Sequence, residues 1–209
     1  MILTDREVQV ALATGQIRIR PSPSEDAYSS SSLDLSLGTK IRIWSTAPNG
    51  IDRVFCPADP GFRVLAAVEE LAEARRIGPN GHIIEPGGFL LAWTAENVEL
   101  PIRSRLAARV EGKSSLARLG IGVHVTAPTI HAGFRGVIQL EVCNHGPLRV
   151  KLVPGMPVCQ LIFEQTLGTP EQGYAGQFLG QSGGSPPRGS RRASSYARSR
   201  KLTEPLKRR

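Results

Sequence analysis

Gly136-Val-Ile-Gln-Leu-Glu-Val-Cys143 is the stretch from which the fold class of this 209-residue chain is read. Alternation at a period of two puts Val137, Gln139, Glu141 and Cys143 on one face of a strand. Ile138, Leu140 and Val142 take the other face. Two polar side chains, Gln139 and Glu141, therefore point the same way from a strongly apolar segment. Around this strand, short apolar runs recur between Pro and Gly: 82–85, 89–94, 106–111, 121–126, 148–152 and 157–164. Strands this short and this closely spaced predict a mainly β fold, a barrel or a sandwich, with a few short helices.

Nearer the N-terminus, Thr4 followed by Glu7 reads as a capping box and Gly15 as a helix stop, predicting a helix over 4–14. Ile17-Arg-Ile-Arg20 alternates as a strand, and 21–32 is a loop by composition. Leu33-Asp-Leu-Ser-Leu37 and Lys40-Ile-Arg-Ile-Trp44 both alternate around Gly38-Thr39, which predicts a hairpin. Residues 64–76, rich in Ala, Leu, Glu and Arg, predict a helix by propensity.

With 40% hydrophobic residues the chain can bury a core, filled mostly by aliphatic side chains because aromatics are only 5%. No apolar run approaches the roughly 20 residues of a membrane span. Met1-Ile-Leu-Thr-Asp-Arg-Glu7 lacks the basic-then-apolar order of a signal peptide, so a cytoplasmic protein is expected. The three cysteines, Cys56, Cys143 and Cys159, are too few and too widely spaced for a disulfide framework. Cys143 and Cys159 are expected as small buried hydrophobes.

The net charge of +8 is not spread over the molecule. Residues 182–209 hold nine of the 26 Lys and Arg and only one of the 18 Asp and Glu, so this segment carries the whole excess. The chain accordingly divides into a folded domain over 1–181 and a basic Ser/Gly/Pro/Arg-rich tail over 182–209, too poor in apolar residues to fold alone. Such a tail either touches nucleic acid or an acidic partner, or remains a solvated extension.

Three sets of residues bear on chemistry. Gly112-Lys-Ser-Ser115 offers close backbone approach, hydroxyls and an ammonium to an anion. It is not a P-loop, because position 107 is Ala. Taken alone it reads first as a polar turn opening a helix over 114–119. Arg118, four residues after Ser114, shares a helical face with it. Glu141 is either a structurally paired carboxylate or one tuned for proton transfer. The histidines at 82, 124, 131 and 145 show no zinc-ligand spacing, and neither His-x-Glu nor Pro-Cys-x-x-Cys occurs. Any hydrolytic chemistry is thus expected to activate water without zinc.

Taken in order, Ser32-Leu-Asp-Leu-Ser-Leu-Gly38, Val110-Glu-Gly-Lys-Ser-Ser-Leu-Ala-Arg-Leu-Gly120, His124-Val-Thr-Ala127, Gly133-Phe-Arg-Gly136, Leu140-Glu141, Pro154-Gly-Met156 and Gln160-Leu161 resemble the dCTP deaminase family of the dUTPase-like superfamily. Tyr174-Ala-Gly-Gln-Phe-Leu-Gly-Gln181 resembles its nucleotide-closing segment. The resemblance implies a dUTPase-like β-clip or distorted barrel, a homotrimer with sites at subunit interfaces, and hydrolysis of dCTP to dUTP and ammonia for dUMP and dTTP supply. It implies Glu141 as general acid and base. Ser114 and the backbone near Ala127 would hold the water, and Lys113, Ser114, Ser115 and Arg118 would line the phosphate and base site. Gln139 would read the pyrimidine edge. Tyr174, Gln177 and Gln181 would close over a triphosphate that arrives with Mg²⁺. The family also admits regulation by dTTP.

Two positions depart from the family pattern. His131 stands where an aspartate commonly meets the deoxyribose 3′-hydroxyl, and Gln177 stands where lysine is frequent. The first departure weighs against a dUTP diphosphatase, alone or combined with deamination. A non-catalytic nucleotide-binding module is the remaining alternative.

Overall fold

The computed structural model describes residues 1–44, 54–176 and 179–183. Its centre is one curled sheet of ten antiparallel strands, in the order β8-β10-β6-β3-β12-β7-β9, with β1 beside β6 and both β2 and β4 beside β3. The strands are β1 (Arg18–Arg20), β2 (Tyr28–Ser29), β3 (Ser32–Trp44), β4 (Ala72–Arg76), β6 (Phe89–Glu99), β7 (Leu106–Gly112), β8 (Ile121–Gly122), β9 (Thr129–Ile130), β10 (Arg135–Asn144) and β12 (Pro157–Gln165). A separate antiparallel pair joins β5 (His82–Ile84) to β11 (Val150–Leu152). Among the described residues the α-helices are α1 (Asp5–Ala13), α2 (Val64–Leu71) and α3 (Ser114–Ala117).

Inward faces of the long strands merge into one core, with Leu33, Leu35, Leu37, Leu140, Leu161 and Phe163 inaccessible to solvent. Val8 and Ala11 of α1 pack onto it. The expected capping residue Thr4 precedes this helix, but its hydroxyl bonds the Glu7 carboxylate rather than a backbone N–H. Cys143 and Cys159 are buried as expected, and burial pushes both thiols up, away from the reactive thiolate.

Two expectations fail. The hairpin at Gly38-Thr39 is absent: β3 continues unbroken and changes partners instead. Its first half pairs with β12 through Leu33 to Ser36. Its second half pairs with β6 from Leu37 to Ile43 and with β4 from Lys40 to Trp44. A register shift between Leu37 and Ile41 marks the crossing. Glycine is needed there for close approach, since a Cβ at Gly38 would stand 2.8 Å from the Trp93 carbonyl oxygen. The alternation around a glycine is the same for a bulged strand and for a hairpin, so the pattern did not separate them.

The helix expected over 64–76 stops at Leu71, and residues 72–76 become β4. Ala, Glu and Arg favour helix locally, but the second half of β3 offers an open edge whose main-chain groups need partners. The smaller differences concern strand length. The run at 89–94 extends to Glu99, and the run at 121–126 keeps only Ile121–Gly122 as strand.

Candidate active site

Strand β10 presents two polar side chains to a cleft because its two faces meet different surroundings. Leu140 and Val142 are buried in the core and Ile138 is buried at the cleft wall, whereas Gln139 and Glu141 face the cleft of about 190 Å³. The same-face expectation for these two side chains is met. The cleft lies between β10, the end of β7 and the segment 124–134, with Val110, Ile130, Phe134 and Ile138 supplying apolar wall. Burial pushes the Glu141 carboxyl above its ordinary range, opposed by its own backbone N–H, the Val125 backbone N–H and the charge of His124.

Ala127 borders the same cleft with φ of 61°, the left-handed region that alanine rarely enters. Its main chain is held there by the surrounding turn: Pro128 accepts a hydrogen bond from Val110 N–H at 2.9 Å, and Thr129–Ile130 pairs with β7. Strain of this kind fixes main-chain groups in an orientation that a relaxed turn would not give.

His131 and Tyr174 reach the cleft together, their rings stacked at 5.9 Å between centroids and 14° between planes. Tyr174 also leans on Phe134, with ring centroids 5.9 Å apart, and donates its N–H to Ala132 O at 2.9 Å. Gln181 lies against β10 and is 8% exposed; its side-chain amide donates to Val137 O at 2.7 Å. Gln177 lies outside the described residues, as does the basic tail from 184 onward.

Lys113, Ser114, Ser115 and Arg118 are together, but elsewhere. They form the turn after β7 and the short helix α3, and none of them borders the Glu141 cleft. Arg118 Nη1 reaches Ser114 Oγ at 3.5 Å, as four-residue spacing predicts. Lys113 is already engaged in an ion pair with Asp34 of β3. In one chain the candidate acid and the candidate phosphate ligands are therefore two sites.

His124 was missed by sequence reasoning. It borders the cleft, bears electrostatically on Glu141, and its Nδ1 is buried without a hydrogen-bond partner. The only signal for it was its place at the head of His124-Val-Thr-Ala127. Among the described residues, no group of three or more His, Cys, Asp and Glu stands together as a metal site. Among the same residues, no helix is long and apolar enough to cross a membrane.

The family model for dCTP deaminase-like proteins matches residues 2–166. The chain belongs to the dCTP deaminase-like family. It is 39% identical over 176 residues to the dCTP deaminase of Rhodospirillum rubrum, covering 84% of this chain and 88% of that relative. It is 38% identical over 188 residues to a protein of Methanosphaera stadtmanae named "dCTP deaminase, dUMP-forming", covering 87% and 90%. Among solved structures, the 2′-deoxycytidine 5′-triphosphate deaminase of Agrobacterium tumefaciens superposes with a TM-score of 0.58 at 25% identity. That match takes in 78% of this chain but 47% of the solved one, so the chain spans about half its length. The mainly β, dUTPase-like architecture implied by the sequence motifs is borne out.

Proposed function

We propose that this protein is a hydrolase that deaminates dCTP: dCTP and water give dUTP and ammonia. The observation that carries the reading is Glu141, a half-buried carboxylate with a raised pKa in an apolar cleft, next to the amide of Gln139. Attack of water on C4 of cytosine needs a base for the water proton and then an acid for the ring and the leaving amine. A carboxyl raised above its ordinary range is a better base for the first step and still an acid for the second. Gln139 reads the pyrimidine edge, and the strained main chain at Ala127 directs a polar group toward the water. His131 meets the sugar hydroxyl as an imidazole in place of a carboxylate, backed by Tyr174. The matching of the dCTP deaminase-like family over residues 2–166 supports the same chemistry.

The separation of Glu141 from Lys113, Ser114, Ser115 and Arg118 supports a site completed by a neighbouring copy. A homotrimer in which each Lys113–Arg118 turn faces another subunit's Glu141 cleft joins the two halves. Mg²⁺ then enters as part of the nucleotide, held by the triphosphate, and the proton steps run through Glu141 without zinc. Tyr174, Gln177 and Gln181 cover the bound triphosphate, and dTTP, sharing its sugar and phosphates, is the candidate regulator.

A second reading, deamination with release of dUMP and pyrophosphate, is motivated by the name of the Methanosphaera relative. His131 argues against it, because an imidazole is a poor replacement for a carboxylate base toward a phosphoryl-attacking water. Incubation with dCTP and Mg²⁺ separates the readings by the nucleotide product: ammonia with dUTP for the first, ammonia with dUMP and pyrophosphate for the second. A protein that binds dCTP and releases none of these is a nucleotide-binding module instead. Glu141→Gln is expected to lose at least about a thousandfold in ammonia release while keeping dCTP affinity within a few-fold. Undiminished turnover in that variant removes Glu141 from the mechanism.

A further inference from the structure

We infer that Lys40 of β3 is a positioning residue for nucleotide binding, because it seats the segment 179–183 against the strand that carries Gln139 and Glu141. The inference rests on the deaminase reading above and adds to it a residue outside the cleft. The segment has no helical or strand structure of its own, yet it is fastened at both ends. At its start, Gly180 N–H donates to Arg135 O at 2.6 Å. In its middle, Gln181 O accepts from Val137 N–H at 3.1 Å, and Gln181 Nε2 donates to Val137 O at 2.7 Å. At its end, Lys40 Nζ donates to Ser182 O at 2.9 Å and to Gly183 O at 2.8 Å.

The receiving strand is shaped for this docking. Gly136 has φ of +150°, and a Cβ there would stand 2.9 Å from Gln181 O. The β10–β6 register shifts between Val137 and Gln139, where Ile138 N–H donates to the Thr94 hydroxyl at 2.9 Å instead of to a strand carbonyl. Val137 is thereby left with both main-chain groups turned to Gln181, two residues before Gln139. Lys40 closes the arrangement from β3. An ammonium offers three donors on a flexible stem, and two of them meet consecutive carbonyls of the segment. Among the described residues, Lys40 has no carboxylate partner competing for them.

Lys40 does not border the Glu141 cleft, whereas Gln181 does. Its effect is therefore transmitted through the seated segment and belongs to binding. The test compares dCTP kinetics of Lys40→Met and Lys40→Arg with the unaltered protein, together with amide hydrogen exchange at Val137 and Gly180. Lys40→Met keeps the stem and removes the donors. It is expected to raise KM about tenfold, with faster exchange at both amides. Its kcat is expected to stay within about twofold. Lys40→Arg is expected to recover most of the affinity. Unchanged KM and unchanged exchange in Lys40→Met overturn the inference, and so does a fall in kcat at constant KM. Absence of ammonia release from the unaltered protein would count against the deaminase reading alone, since the exchange measurement still reports on the seat.

Discussion

Glu141 owes its raised pKa to burial, and burial has a sign. Desolvation disfavours the ionised carboxylate, so its pKa in the folded protein lies above the ordinary 4.5. A base must be deprotonated to act. The acid limb of kcat/KM is therefore expected at a pH above 4.5, and a limb at or below that value contradicts Glu141 as the base. Stability follows the same shift. The folded state favours the protonated form, so relative stability is fully present below the unfolded pKa and is lost as pH rises through the folded one. Glu141→Gln removes that loss. Its melting temperature is expected to exceed that of the unaltered protein at neutral pH, with the difference vanishing below pH 4.5, which a pair of thermal melts checks. That this residue shares a face with Gln139 was legible from the alternation in Val137-Ile-Gln-Leu-Glu141, because period-two patterning assigns faces without knowing the partner strands. His124 was not legible, because its approach to Glu141 is made by a turn, and turns have no period.

Among the elements, β3 shows how a sheet curls. One strand serves β12 with its first half and β6 with its second, and Gly38 sits at the change. The Trp93 carbonyl approaches the space a Cβ would fill, and the Thr94 carbonyl lies just beyond, so neither obstacle is a flexible side chain. Gly38→Ala is expected to cost about 2 kcal/mol in urea unfolding. A cost below about 0.5 kcal/mol would mean that β6 can withdraw without loss. The same crossing explains β4. Once β3 has left β12, its outer edge is open, and Ala72–Arg76 fills it against helix propensity. Local sequence therefore identified both halves of β3 and the start of α2. It could not announce a change of partner, because edges exist only after the sheet has assembled.

At the scale of the whole molecule, the distance between the two site halves becomes a prediction. If the Lys113–Arg118 turn of one copy serves the Glu141 cleft of the next, two inactive variants should complement each other. Mixing Glu141→Gln with Arg118→Ala under conditions that exchange subunits is expected to restore about a quarter of full activity, since a trimer then pairs intact halves in that share of its sites. No recovery in mixed oligomers would mean that both halves act within one chain. What the sequence by itself determined is the chemistry and its order: strands from alternation, the facing pair Gln139 and Glu141, and the family from the strings between Ser32 and Gln181. These depend on side-chain type and spacing, which the chain carries before it folds. Only the tertiary structure decided where those residues meet. It put His131 on Tyr174, engaged Lys113 with Asp34, and seated Gln181 on Val137 under the hold of Lys40. Each of those contacts joins residues more than 40 positions apart or depends on a sheet edge, and no local pattern encodes a distance across the fold.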